Sequence, residues 1–116
     1  PIAFVSIHFN SAPSHQAEGI EIFYYESEAD KQRSKESKVL AGKLLDSVLS
    51  YTKAKSRGVK HGNFLVIRET DVPAVIVEGG FMTHEEEMEH IRDATYLKKL
   101  AWGIAQGIKK YAGTRN

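Results

Sequence analysis

The sequence predicts an α/β domain in which helices flank a mixed or largely parallel central sheet. Short segments rich in β-branched and aromatic residues alternate along the chain with longer segments whose apolar residues recur at helical spacing. The 116 residues are 41% hydrophobic and contain no repeat, linker or low-complexity tract. These observations indicate one domain that can build a core of its own.

The first quarter of the chain predicts two strands. Residues 2–9 are mostly Ile, Val and Phe, which favours a central strand covered on both faces. A loop over residues 10–18 contains Pro13. Residues 19–25 are enriched in β-branched and aromatic residues and predict a second strand. Alternation along this strand places two sets of residues on opposite faces of the sheet. One face carries Ile20, Ile22 and Tyr24, and the other carries Glu21, Phe23 and Tyr25.

Residues 34–51 predict a long helix, and two short strands follow it. The charged residues between 30 and 38 are expected to form its solvated start. Gly58 and Gly62 interrupt the regular pattern. Residues 64–67 and residues 74–78 then predict strands, the second one opened by Pro73. The buried stripe of the helix consists of Leu40, Ala41, Leu44, Leu45, Val48 and Leu49.

Two further helices are predicted at the end of the chain. Thr83 and Glu86 form a capping-box pair that predicts a helix through about residue 92. Asp93 can cap the last helix, whose apolar stripe runs over residues 97–108, and Gly113 is expected to stop it.

Composition excludes several classes of function. The 16 basic and 15 acidic side chains leave a net charge of +1, so we expect no nucleic-acid partner, which would need a concentrated basic surface. The chain has no Cys, so a metal would be held by His and carboxylates, as in catalytic rather than thiolate sites. No apolar stretch approaches the roughly 20 residues of a membrane span, so none is expected.

Two predicted strands end in polar side chains of complementary chemistry. His8 follows the apolar residues of the first strand, and Glu78 ends the strand at residues 74–78, next to two glycines that would let backbone or substrate approach. Ligand sites of α/β sheets lie beyond the carboxyl ends of strands, so His8 and Glu78 are expected to share one site. Apolar neighbours would partly desolvate Glu78, which raises the pKa of a carboxyl toward that of a general base.

Each of these residues also has an ordinary structural explanation. A His after an apolar strand is often a hydrogen-bonded core or loop residue, and a strand-end acid can cap a helix or pair with a base. Asn10 and Ser11 either contact substrate or hold a turn by side-chain-to-backbone bonds. Arg57 and Lys60 either meet the carboxylates of a peptide or complement the negative end of the preceding helix. The remaining histidines are expected to be solvated loop or helix residues: His15, His61, His84 and His90.

Four segments of the chain together carry a family resemblance. They are residues 6–11 (SIHFNS), 19–25 (GIEIFYY), 57–60 (RGVK) and 72–81 (VPAVIVEGGF). In this order they resemble the C-terminal part of zinc-dependent N-acetylmuramoyl-L-alanine amidases of the Amidase_3 family. The resemblance implies that His8 is a zinc (Zn2+) ligand and that Glu78 is catalytic and not a permanent ligand. The family's other two ligands, a His and a Glu, have no counterpart in these residues.

The resemblance also implies a function and a domain boundary. The function is hydrolysis of the peptidoglycan amide between N-acetylmuramic acid and L-alanine by zinc-activated water, in the cell wall outside the cell, although no export signal opens the chain. Since catalytic zinc needs about three protein ligands, we expect residues 1–116 to be a single catalytic-domain fragment, incomplete at its N-terminal side. Its partners would be peptidoglycan and the N-terminal segment of the same domain, without which an apolar sheet edge around residues 2–7 stays open.

A different class of function stays open beside the enzyme. An amidase-like module without metal could bind peptidoglycan or regulate an amidase without catalysis. The presence of Glu78, which mere binding does not require, favours the enzyme.

Overall fold

The computed structural model describes residues 2–114, which form a sheet with two long helices on one face. The order of elements confirms the α/β class predicted from the sequence. In chain order the elements are β1 (Phe4–Asn10), β2 (Ile20–Tyr24), α1 (Lys31–Thr52), β3 (Ser56–His61), α2 (Leu65–Arg68), β4 (Ala74–Phe81), α3 (Glu85–Ile91) and α4 (Ala94–Gly113).

The sheet is four-stranded, in the order β1-β4-β2-β3, and mixed. β1 runs parallel to β4 and β2 runs parallel to β3, whereas β2 and β4 are antiparallel. The carboxyl ends of β1 and β4 therefore lie at the same end of the sheet as the amino ends of β2 and β3. This shared end is called the polar end below, because it is the end nearer to the polar side chains of His8 and Glu78.

The strand β1 forms an edge of the sheet within the described residues. Its burial pattern is mixed, and Ile2, Phe4 and Ile7 are exposed. Among residues 2–114, the expectation that this strand is covered on both faces is therefore wrong, whereas the expected open apolar edge is confirmed. Such an edge presents unpaired backbone groups and apolar side chains to any segment that can add to it.

The main core lies between one sheet face and the pair α1 and α4. The alternation predicted for the second strand is confirmed, because Ile20 and Ile22 are fully buried in this core while Phe23 packs on the opposite face. The two helices cross at close range: a Cβ on Gly103 would lie 2.8 Å from the Val48 Cα, and one on Gly107 would lie 2.8 Å from the Leu44 Cα. Only glycine permits backbones to approach so closely.

Two short elements differ from the sequence expectation. Residues 56–61 form β3 although Gly58 was expected to break the chain, because Gly58 adopts a positive φ of 86° where the β2–β3 register shifts. Residues 64–67 were predicted to be a strand but form a helical turn. Phe64 packs edge-to-face on Phe23, and Ile67 is buried in a small second core on the sheet face opposite α1 and α4. Burial of these apolar residues against the sheet, and not their β propensity, decides their conformation.

The helix starts also depart partly from the prediction. The capping box at Thr83 is wrong: His84 caps α3, and its Nδ1 accepts a hydrogen bond from the Glu87 N–H at 3.2 Å. Asp93 does cap α4, as predicted, by accepting from the Thr95 N–H at 2.9 Å. Gly113 is the last residue of α4 instead of following it.

The charged start of α1 is not wholly solvated. The helix begins at Lys31 with Asp30 as its N-cap, earlier than predicted. Arg33 in its first turn is buried and donates hydrogen bonds to the backbone carbonyls of Ile67 (3.0 Å) and Arg68 (3.3 Å). These bonds satisfy carbonyls of α2, which is too short to satisfy them itself. Across the described part of the chain, no helix combines the length and hydropathy that a membrane crossing requires.

Candidate active site

A row of polar side chains crosses the sheet near its polar end. His8 on β1 is the register partner of Glu78 on β4, and Glu78 lies opposite Glu21 on β2. Register partners on neighbouring strands point to the same face, here the face opposite α1 and α4. The structure thus brings His8 and Glu78 together, as the sequence predicted, and adds a second carboxylate beside them.

Glu78 lies half-buried in the middle of this row. Its Oε2 atom is buried and has no hydrogen-bond partner among the described residues. Burial raises the pKa of Glu78 above its ordinary value of 4.5, the positive potential of His8 opposes this shift, and the charge of Glu21 adds to it. A carboxylate with an unbonded oxygen and a raised pKa is suited to take up a proton from a reacting group.

His8 presents its imidazole at the exposed side of the row. Its Nε2 atom and the Ser6 Oγ are 2.8 Å apart in a hydrogen bond between two side chains of the same strand face. This contact orients the ring from one of its nitrogens. The side chain stays exposed, and imidazole nitrogen is a usual zinc donor.

Glu21 is the site residue that the sequence analysis missed. It is only 4% exposed, and its Oε2 accepts hydrogen bonds from Lys60 Nζ at 2.7 Å and Arg57 Nε at 3.2 Å. The guanidinium of Arg57 also lies over the Phe81 ring, 4.8 Å from its centroid. Both basic residues therefore pair with a strand carboxylate, which is neither of the two roles considered from the sequence. The sequence signal for this role was Glu21 itself, the single acid on the predicted second strand. Its partners, in residues 57–60, could be recognised only after the structure placed β3 beside β2.

Asn10 and Ser11 hold the turn that follows β1. The Ser11 N–H donates to the Asn10 Oδ1 at 2.9 Å, and the Asn10 Nδ2 lies 3.5 Å from the Glu21 Oε1. These contacts agree with the structural explanation of Asn10 and place it beside the polar row. Contact of either residue with substrate stays a prediction.

The two glycines after Glu78 make room for the protein's own side chains. A Cβ on Gly79 would lie 2.8 Å from the ring of Phe9. Gly80 has a φ of 132°, in the left-handed region, and its Cβ would lie 3.3 Å from the Glu87 Oε1. Both glycines therefore allow a close approach inside the protein, and approach of substrate to them stays a prediction.

The other histidines make contacts of their own. His61 lies on β3 instead of in a loop, and its Nδ1 accepts from the Glu26 N–H at 2.9 Å. His84 caps α3, and its Nε2 lies 3.3 Å from a carboxylate oxygen of Glu18. His90 stacks on Tyr96 with ring centroids 4.8 Å apart. Among residues 2–114, only the exposed His15 lacks such a contact, which agrees with a solvated loop position.

The donor set in residues 2–114 does not complete a zinc site. Over this described range, no three His, Cys, Asp or Glu side chains converge on a common point. The polar row supplies one imidazole and the carboxylate of Glu78, whereas catalytic zinc takes about three protein ligands and an open position. His8 fits as one member of such a set.

Comparison with known protein families shows to which family the chain that carries this site belongs. The sequence profile of the family described as N-acetylmuramoyl-L-alanine amidase, Amidase_3, matches residues 1–110. The chain belongs to this family. Zinc dependence is general among Amidase_3 proteins. The resemblance carried by the four sequence segments is thereby confirmed.

Curated relatives of the Amidase_3 chain include cell wall amidases. It is 33% identical over 110 residues to an uncharacterized cell wall amidase of Bacillus anthracis, covering 93% of this chain and 20% of the relative. It is 30% identical over 109 residues to the probable cell wall amidase LytH of Staphylococcus epidermidis, covering 94% and 35% respectively.

Solved amidase structures share the fold. The N-acetylmuramoyl-L-alanine amidase from Clostridium difficile 630 superposes with a TM-score of 0.90 at 35% identity, covering 99% of this chain and 60% of that chain. The catalytic domain of the amidase CwlV from Paenibacillus polymyxa gives a TM-score of 0.85 at 36% identity, covering 97% and 58%. The Amidase_3 chain thus spans little more than half of these structures and less than half of the two curated relatives.

Proposed function

We propose that this chain contributes to a peptidoglycan hydrolase that cleaves the amide between N-acetylmuramic acid and the L-alanine of the stem peptide. The observation that carries the proposal is the register pairing of His8 with Glu78 on the adjacent parallel strands β1 and β4, in a chain of the amidase family. A metal donor beside a half-buried carboxylate supplies two of the groups that metal-assisted hydrolysis of an amide requires.

Glu78 acts as the general base and then as the general acid. Its unbonded Oε2 accepts a proton from the attacking water and returns it to the leaving amine of L-alanine. Burial is the main cause that raises the pKa of Glu78 above its ordinary value, and this shift favours the protonated carboxyl that forms between the two transfers. The other carboxylate, Glu21, is already paired through its Oε2 with Lys60 and Arg57.

His8 supplies one nitrogen to a zinc ion, with its ring oriented by Ser6. When bound, zinc lowers the pKa of a coordinated water and polarises the substrate carbonyl. We assign the remaining ligands to an N-terminal segment of the same domain, outside residues 1–116, because these residues hold one of about three ligands. Residues 1–116 would then be a single catalytic-domain fragment.

The substrate would approach the exposed side of the polar row. Asn10 ends β1 there and Ser11 follows it, and we assign them contacts to the stem peptide beside His8. The proposed place of action is the cell wall outside the membrane, since peptidoglycan is the substrate. No nucleic-acid partner is proposed, given the net charge of +1.

The test uses the complete natural protein that contains this chain, incubated with purified peptidoglycan. The assay measures the free α-amino groups of L-alanine released from muramic acid. Glu78→Gln is expected to lower turnover by about two to four orders of magnitude, the usual contribution of a positioned acid–base group. Glu69→Gln, which changes an exposed carboxylate in the same way, is expected to leave turnover unchanged.

Two outcomes would overturn the proposal. One is nearly full turnover in Glu78→Gln. The other is tight peptidoglycan binding by the natural protein without release of any amine, which would favour the metal-free binding module.

A further inference from the structure

Glu87, in the first turn of α3, is a buried carboxylate that contacts two strands of the sheet. It is only 9% exposed. Its Oε2 accepts a hydrogen bond from the backbone N–H of Gly19, and its Oε1 accepts one from the backbone N–H of Phe81, both at 2.8 Å. This buried side chain therefore binds one amide 68 residues away in the sequence and another 6 residues away.

The two amides that Glu87 binds belong to the strands that carry the site carboxylates. Gly19 directly precedes β2 and lies two positions before Glu21, and Phe81 ends β4 three positions after Glu78. Since β2 and β4 are antiparallel, these two amides lie at the same end of the sheet, the polar end. The Glu87 carboxylate thus connects the start of β2 with the end of β4.

A second set of contacts connects Glu87 to the same row. Phe81, whose N–H it binds, is the register partner of Asn10 on β1, and the Phe81 ring supports the guanidinium of Arg57. Arg57 in turn donates to Glu21. Displacement of the Phe81 backbone would therefore disturb contacts on β1, β4 and β2 together.

The backbone is built to admit this carboxylate. Gly80 has a φ of 132°, and a Cβ there would lie 3.3 Å from the Glu87 Oε1. The side chain is not used to cap its own helix, because His84 performs that role. A buried carboxylate is costly unless fully hydrogen-bonded, and two short charge-assisted bonds to backbone N–H groups meet that cost.

We propose that Glu87 is a positioning residue for the amidase reaction, which braces the strand ends so that Glu78 keeps its place relative to His8 and Glu21. The inference rests on the proposed catalytic role of Glu78. Misplacement of a reacting group by about 1 Å can cost on the order of 100-fold in rate. Glu87 therefore affects turnover without touching substrate.

The test compares Glu87→Gln with a matched control, Glu89→Gln, in the complete protein. Glu89 lies on the same helix and is exposed, so its replacement removes the same charge without removing a strand contact. A Gln at position 87 offers one acceptor oxygen to two N–H donors and turns an NH2 group toward one of them. We measure kcat and KM per folded molecule, and hydrogen exchange at individual backbone amides.

The expected result for Glu87→Gln is a fall in kcat of roughly 10- to 100-fold with little change in KM, because positioning and not binding is impaired. Exchange should accelerate about tenfold or more at the amides of Gly19 and Phe81, while the amides of α1 and α4 keep their protection. Glu89→Gln should match the natural protein in both measurements. If Glu87→Gln does not fold, Glu87→Asp, which keeps the charge but is one methylene too short to span both amides, takes its place with the same expectations.

Unchanged kcat in the folded variant would overturn the proposal, as would an exchange increase spread evenly over the whole domain, which marks a purely structural role. The proposed function fails in a different experiment. If Glu78→Gln keeps full turnover, the catalytic assignment is lost, whereas the exchange rates at Gly19 and Phe81 still report whether Glu87 braces the strands.

Discussion

Replacing Glu21 with Gln changes the charge in the centre of the polar row while preserving its shape. The natural carboxylate is 4% exposed and accepts from Lys60 at 2.7 Å and from Arg57 at 3.2 Å through the same oxygen. The amide that replaces it has one acceptor oxygen and no charge. Two cations then lose a charged partner, and Glu78 loses a repulsive neighbour.

The size of the expected loss of stability depends on how exposed the Lys60 and Arg57 side chains are. A hydrogen bond to a charged group contributes about 1.5–3 kcal/mol when it is made inside a protein. The side chains of Arg57 and Lys60 are 35% and 44% exposed, so water can solvate part of the lost charge. We therefore expect Glu21→Gln to lower the free energy of unfolding by about 1–3 kcal/mol, less than the full loss of a deeply buried pair.

The same substitution should shift the pH dependence of turnover. Glu21 is one of the causes that raise the pKa of Glu78, after burial. Removing its negative charge lowers the pKa of Glu78, and the freed charges of Lys60 and Arg57 act in the same direction. The acid limb of the kcat profile therefore moves to lower pH, while burial still keeps that pKa above its ordinary value.

The assay combines chemical denaturation of the complete protein with the pH profile of turnover. Glu69→Gln is the control, because its ion pair with Arg68 is exposed and is expected to contribute less than about 1 kcal/mol. Unchanged stability together with an unchanged acid limb in Glu21→Gln would show that Glu21 does not interact with Glu78 as described.

Two further predictions concern packing and pH. Gly107→Ala should destabilise the fold by about 1–3 kcal/mol, because its Cβ would lie 2.8 Å from the Leu44 Cα. Gly42→Ala, at a position in α1 with open space around it, should stabilise the fold by up to about 1 kcal/mol. Thermal melting of both variants measures the difference, and equal melting temperatures would contradict the prediction. Because the folded-state pKa of Glu78 is raised, its ionisation costs stability as pH rises from about its ordinary value of 4.5 through the folded-state pKa. Glu78→Gln should therefore gain stability at neutral pH and match the natural protein well below pH 4.5; denaturation at both pH values tests this, and an equal difference at both would refute it.

The sequence predicts the long elements of this fold because their patterns are strong. The apolar stripe of α1 and the alternation of β2 leave one arrangement that buries both. The short elements escape prediction for a physical reason. β3 is a polar edge strand with a glycine at a register shift, and α2 is an apolar segment of four residues that tertiary packing bends into a turn. Local propensity carries little information in such segments.

The site is predictable to the extent that it lies at strand ends. His8 and Glu78 could be paired from the sequence because both follow apolar runs on strands that end together. Glu21 and Glu87 could not, because their roles depend on contacts across the sheet with Lys60, Gly19 and Phe81. Such contacts require the strand order, which no local pattern specifies.

The zinc content of two variants of the complete protein tests the central claim most directly. Glu78→Gln should retain zinc at the natural ratio, because Glu78 acts on the proton and not on the metal, whereas His8→Ala should lose it, because one of about three protein ligands is gone. The measurement is the metal-to-protein ratio after dialysis, alongside turnover on purified peptidoglycan, which should fall in both variants. Loss of zinc from Glu78→Gln would make Glu78 a ligand, and full retention of zinc by His8→Ala would remove His8 from the metal site and contradict the account.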